Sequence, residues 1–322
     1  MEEKEHLINI SHCRGIKDSS ISKEHNMKPV TYNISLVKPS DDERRETLHT
    51  LADNGIRHLN LNNALLEHFI VTPDAIPKYE KDMKEYGLSF MDAHAPWGTW
   101  KDPGVPVETE HEQIILRQKM ALRLCNRFGV TSIAYHTANT FNSIYGANLT
   151  LDDYYNMLLR SMEELLPDAQ RLGVVLALEN QWTPLNQSAY LLKAVRHFDT
   201  EWLGICYDTG HGNLTEHGKD FPSKTVVPPI WNDIQLPVVW EENFIEKVQP
   251  YLINCHLHDN DGIDDQHKLP GTGTVNWKRI MKNLAAAPRL QCIQSEVNMK
   301  RDDAPSLEEL VRTFTKLTDG SF

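Results

Sequence analysis

Eight short apolar, β-branched runs alternate with longer stretches of helical period from residue 30 to the C-terminus, and this alternation restricts the fold more than any other feature. The runs are VTYNISLV (30–37), IRHLNLN (56–62), LSFMDAH (88–94), VTSIAYH (130–136), VVLALEN (174–180), WLGICYD (202–208), YLINCHLH (251–258) and LQCIQSE (290–296). A strand followed by a helix, repeated, is the pattern of βαβ units and a parallel sheet. Eight repeats in 322 residues point to an α/β chain closed into a (β/α)8 TIM barrel. An open doubly wound sheet usually has fewer strands and an early glycine-rich phosphate turn. Neither G-x-G-x-x-G nor a Walker sequence occurs.

The intervening segments carry helix punctuation. In SDDERRETLHTLADNG, Ser40 and Asp41 suit the first turn and Gly55 the stop; in TPDAIPKYEKDMKEYG, Thr72 suits the cap and Gly87 the stop. Residues 1–28 are charged and aperiodic and are expected to form an extension outside a barrel spanning 29–322. Thr209 to about Val239 is rich in Pro and polar residues and is expected to be a long loop after strand six, a lid or contact surface.

Net charge is −12, from 33 Lys and Arg against 45 Asp and Glu, which disfavours nucleic acid or an anionic membrane as a partner. No apolar run approaches the roughly 20 residues of a membrane helix, and MEEKEHLINI lacks the pattern of a signal peptide. Five scattered cysteines without a C-x-x-C pair favour a reducing, cytoplasmic setting over a disulfide framework.

Seven residues able to do chemistry fall at the carboxyl ends of six successive runs: His94, His136, Glu179, Asp208 with His211, His256 and Glu296. That rim is where such barrels build active sites. A single Asp there often only caps the next helix, but six strands in succession exceed that explanation. Three carboxylates and an imidazole make a hard, oxygen-rich site suited first to Mn²⁺, with Mg²⁺, Co²⁺ or Zn²⁺ as alternatives. Alternation puts Cys206, Gln294 and Cys292 on the face of Asp208 and Glu296, with Tyr207 and Ser295 toward the helices. His256 and His258 share one face, so spacing does not choose between them.

The strings LALEN, YDTGH, CHLHDND, DDQHKLPGTGTVNW and QSEV resemble the successive motifs of the sugar-phosphate isomerase/epimerase superfamily of xylose-isomerase-like TIM barrels, over residues 30–320. The resemblance implies that Glu179, Asp208, His256 and Glu296 bind one metal, which selects His256 over His258. It implies a divalent-metal-dependent sugar isomerase or epimerase working through an enediolate, with Glu179 and Glu296 also serving as acid and base. Substrate contacts are then assigned to His94, His136, His211 and His267, and to Trp97 and Trp182.

The superfamily also contains endonuclease IV, whose three zinc ions use further histidines and an Asp-x-His pair; His94, His136, His211, Asp265 and His267 are the counterparts. The acidic charge, QWTP after LALEN and the lack of basic loops weigh against DNA as substrate. Trp97, Trp100, Trp182, Trp231 and Trp240 fall in predicted loops on the same rim, where indoles suit a sugar ring, an aromatic aglycone or a protein interface. They keep open a lyase of the same scaffold, a dehydratase or a C-glycoside deglycosidase subunit acting on 3-keto glycosides with a small β-rich partner. Homo-oligomerisation is expected in either case. A barrel that only binds a sugar would show a broken ligand set, and all four positions are intact.

Overall fold

The computed structural model describes residues 28–138, 142–145 and 148–322. Apart from Lys28, the expected N-terminal extension lies outside them, as does Cys13. All eight expected strands form: β1 Val30–Tyr32, β2 His58–Leu61, β3 Ser89–His94, β4 Ser132–Tyr135, β5 Val175–Glu179, β6 Leu203–Asp208, β7 Leu252–Leu257 and β8 Cys292–Ser295. Each pairs in parallel with its sequence neighbours, and β1 pairs with both β2 and β8, so the sheet closes. The ring is sealed by Val30 opposite Ile293, Thr31 opposite Gln294 and Tyr32 opposite Ser295.

Closure sorts side chains by alternation. Outward residues such as Leu59, Ile133, Leu176, Tyr207 and Leu257 are buried under the surrounding helices. Tyr207 packs on Phe244 at 5.9 Å between ring centres, on the helix side as expected. Inward residues below the mouth are small or polar: Thr31, Asn60, Asp92, Ser132, Ala177, Cys206, Asn254, Cys292 and Gln294, all fully or almost fully buried.

Two segments fold differently from the expectation. After β2 the chain forms a helix at Asn63–Val71, capped by Asn62, whose side chain accepts from the Leu65 amide. Leu65, Leu66 and Phe69 bury its inner face, and Phe69 stacks on Phe128 and meets Tyr79 edge-on. Thr72 therefore ends this helix rather than capping the next one; it makes no side-chain cap bond, and a short 3₁₀ turn at Pro73–Ala75 leads into Ile76–Glu85. Ser40 does cap its helix, accepting from the Glu43 amide.

The segment after β6 is not simply a loop. It holds helices at Thr209–His217 and Val227–Asp233. Asp208 caps the first through the His211 amide. Pro228 and Pro229 sit in the first turn of the second, where no intrahelical N–H is required. Leu214, Val227 and Trp231 make its small apolar core. Among the described residues no helix is long and apolar enough to cross a membrane.

The register of β6 against β7 shifts between Ile205 and Cys206, and Gly204 is the residue that permits the close approach there. A Cβ on it would stand 2.3 Å from Ile253 Cγ1 and 2.7 Å from the Tyr251 carbonyl. Gly204→Ala is expected to cost about 1–3 kcal/mol by overpacking, read as a lower midpoint in thermal or urea unfolding. An unchanged midpoint would show that the bulge absorbs the methyl group.

Candidate metal centre

The strand ends deliver the expected residues to one place. Glu179 ends β5, Asp208 ends β6, His256 lies in β7 and Glu296 directly follows β8. Asp208 is opposite His256, so these two lie level, while Glu179 is opposite Cys206 and Glu296 lies two residues beyond Gln294, the residue opposite His256. One ligand atom from each of Glu179, Asp208, His256 and Glu296 falls within 4.8 Å of the others. His256 Nδ1 lies 3.4 Å from Glu179 Oε1, 3.4 Å from Glu296 Oε2 and 3.9 Å from Asp208 Oδ2. The Glu179, Asp208 and His256 side chains are at most 1% exposed; Glu296 is 12% exposed.

Three carboxylates in so small a buried volume repel one another unless positive charge stands among them. Here the histidines supply it. Burial opposes ionisation of Glu179, but His256 and a hydrogen bond from His211 outweigh burial and hold it well below the usual carboxylate range; His136, pushed down to about 3 by its own burial, stays uncharged beside it. Asp208, also opposed by burial, is brought down to about 2 by His211 and His258. His256 is pushed well above the usual imidazole range despite its burial, by Cys206, Glu296 and Glu179. Neither ring nitrogen of His256 has a hydrogen-bond partner among the described residues. A buried imidazole in that condition, facing three carboxylates, has the donor chemistry of a cation site.

Two further groups adjoin the first. His94, Glu179 and His256 form one, with His94 Nε2 at 3.2 Å and His136 Nε2 at 3.5 Å from Glu179 Oε2. His211, His258, Asp265 and His267 form the other. His258 Nε2 is 3.0 Å from Asp208, His267 Nε2 is 3.1 Å from Asp265, and the His258 and His267 rings stack at 3.8 Å. The structure thus separates the two histidines of CHLHD: His256 joins the carboxylate triad and His258 the second group. Gly210 makes room for His258, since a Cβ there would lie 1.9 Å from the ring.

His94, His211 and His267 each have Nδ1 within 3.0 Å of a backbone carbonyl, those of Ala95, Asn180 and Glu296 respectively. That donation fixes the ring and turns Nε2 toward the site. His267 adopts this position with φ +48, a conformation disfavoured for a residue with a side chain.

Of the rim indoles, Trp97 packs over His136 at 4.9 Å and Trp182 meets His211 edge-on at 4.9 Å, so both frame the site. Trp97 and Trp100 are each 42% exposed. Trp231 does not belong with them. It is buried inside the excursion, donating to the Trp182 carbonyl. Sequence reading also missed the amides that hold the carboxylates. Asn33 and Gln294 donate to Glu296 Oε1 at 3.3 and 3.1 Å, and Asn180 clamps the end of β6 by bonds with the Asp208 N–H and carbonyl. The alternating Asn60 and Asn62 in HLNLN were the available signal, because asparagine is otherwise sparse inside strands.

Comparison with known proteins follows from this geometry. A family model described as a xylose isomerase-like TIM barrel matches residues 31–316. The uncharacterized protein y4fM of Sinorhizobium fredii is 26% identical over 285 residues, spanning 81% of this chain and 83% of its own. A D-tagatose 3-epimerase-like protein superposes with a TM-score of 0.67 at 18% identity, over 92% of this chain and 99% of that one. The apo form of 3-keto-D-glucoside 4-epimerase from E. coli superposes with a TM-score of 0.64 at 17% identity, over 90% and 98%. At these identities the structural likenesses establish the shared fold.

The second group carries a pH signature. Burial opposes protonation of His267, but its bond to Asp265 wins and pushes it up to about 9. Against an unfolded value near 6.5, the pair's contribution is complete below about pH 6.5 and is lost as pH rises through 9, up to about 3 kcal/mol. Chelator-treated protein is expected to melt at progressively lower temperature over that interval, and His267→Asn to flatten that stretch of the curve. Identical slopes for the two proteins would remove His267 from the account.

Proposed function

The chain belongs to the xylose isomerase-like TIM barrel family, and on that premise we propose that it is a divalent-metal-dependent sugar isomerase or epimerase. One observation carries this: four consecutive strand ends bring three carboxylates and a hydrogen-bond-free imidazole within 4.8 Å. Glu179, Asp208, His256 and Glu296 would hold the ion, Mn²⁺ by preference for such donors. Bound there, a divalent cation supplies Lewis acidity toward a carbonyl and its neighbouring hydroxyl.

The chain's own residues do the proton work. Glu179 and Glu296 flank His256 at equal distance, which suits one carboxylate to remove the proton beside the carbonyl and the other to return it. Return on the opposite face gives an epimer; return to the adjacent carbon gives the isomer. His94 and His211, fixed through Nδ1, orient substrate oxygens, with His136 and His267 beside them. Trp97 and Trp182 cover the site and exclude water from the reacting carbon.

The substrate is a sugar or glycoside. A 3-keto glycoside is included because one fold neighbour is described as a 3-keto-D-glucoside epimerase, and the half-exposed Trp97 and Trp100 offer a surface to an aglycone. Elimination from such a substrate, after the same proton abstraction, is the second reading.

Incubation in D₂O with free ketoses and with 3-keto glycosides is expected to give deuterium at one carbon next to the carbonyl, dependent on Mn²⁺. Glu179→Gln and Glu296→Gln should each reduce exchange by at least about 100-fold. Metal retention with full exchange in both variants would sink the assigned roles. Two or three tightly held zinc ions per chain, with no exchange on any sugar, would turn attention to the His211, His258, Asp265 and His267 group and to phosphodiester substrates.

A further inference from the structure

Glu296 differs from the other carboxylates of the centre in how it is held. It follows the last residue of a strand, with its N–H still donating to the Leu257 carbonyl, and is the most exposed of the set, so deep burial does not fix its side chain. Its two oxygens nevertheless have separate surroundings. Oε2 faces His256, whereas Oε1 accepts from two amides, Asn33 Nδ2 and Gln294 Nε2.

Each of those amides is oriented by another from β2. Asn62 Nδ2 donates to Asn33 Oδ1 at 3.0 Å, and Asn60 Nδ2 donates to Gln294 Oε1 at 2.7 Å. Asn62 is in turn fixed by the Leu65 amide, which donates to its Oδ1 at 3.0 Å. The order of donors and acceptors is therefore set at both ends, by a backbone N–H that only donates and a carboxylate that accepts. An amide flipped anywhere along the first chain would oppose like groups. Gln294 and Asn60 are fully or almost fully buried and Asn62 is 5% exposed, so water offers these groups little alternative.

We propose that Asn33, Asn60, Asn62 and Gln294 are positioning residues: two converging amide chains from β2 that occupy one oxygen of Glu296 and present the other, alone, to the cation. This inference rests on Glu296 being a ligand. The double donation to Oε1 leaves Oε2, on the His256 side, as the oxygen that would meet the cation. Partners of ligands generally govern affinity by about 10–100-fold.

The test uses the full chain and measures the Mn²⁺ dissociation constant by equilibrium dialysis, the visible spectrum of the Co²⁺-loaded protein and the melting temperature of the metal-free protein. Asn62→Asp keeps the helix cap, because an aspartate accepts from Leu65 equally well, but removes the donor to Asn33. Gln294→Met removes the other donor at similar volume. Each variant is expected to weaken Mn²⁺ by about tenfold and to change the Co²⁺ spectrum, and Asn62→Asp should melt within a degree or two of wild type. Asn62→Ala should lose affinity and also stability.

Wild-type affinity and an unchanged Co²⁺ spectrum in Asn62→Asp and Gln294→Met, alongside weakened binding in Glu296→Gln, would overturn the relay while leaving the metal centre in place. Equal binding by wild type and Glu296→Gln would instead remove Glu296 from the ligand set, and the relay with it. Should Gln294→Met fail to fold, Asn62→Asp alone decides, since its cap is preserved.

Discussion

Like charges held at short range are the constraint around which this protein is arranged. Glu179, Asp208 and Glu296 each bring an oxygen within 4.8 Å of the others, where their repulsion is only weakly screened. The offset comes from imidazoles that the carboxylates hold above their usual range, His94 at one oxygen of Glu179 and His211 and His256 at the other, while burial pushes His136 down to about 3 and leaves it uncharged. The fold therefore does not have to tolerate a bare cluster of anions.

The scaffold contributes by being unresponsive. Main-chain carbonyls pin three of the histidines through Nδ1, so their outward nitrogens keep one direction. Glycine at 210 lets the helix after β6 pass against His258 where any side chain would collide. The excursion after β6 packs Trp231 beneath Trp182, turning what composition alone marks as a loop into a wall of the site. These are devices of rigidity, and they suit the proposed reaction, in which a proton would leave and return over fixed distances.

Much of this was legible because chemistry and periodicity coincide at strand ends. Glu179, Asp208, His256 and Glu296 close apolar runs, so the residues that break the apolar pattern are also the residues that meet in space. The choice between His256 and His258 was not legible from spacing, since both face inward; only the register against β6 and β8 separates them. Asn33, Asn60 and Asn62 escaped notice for the opposite reason: an uncharged amide among apolar neighbours announces no chemistry. The helix at Asn63–Val71 was hidden because Thr72 and Pro73 advertise a start while Asn62 holds the stronger one. Proline misled after β6, where Pro228 and Pro229 begin a helix instead of preventing one.

The seam between the first and last strands has a kinetic meaning. Thr31 is opposite Gln294, and Glu296 reaches its amide partner Asn33 only when β8 has docked on β1. No contiguous stretch of chain can assemble the centre, because its members are distributed from β5 to the far side of β8 and their supports lie on β1 and β2. The pairing that completes the site spans more than 260 residues of sequence, the kind of contact that forms slowly. Ring closure is thus what completes the site, and a chain lacking β8 would keep Glu179, Asp208 and His256 without Glu296 and without the support that closure gives them.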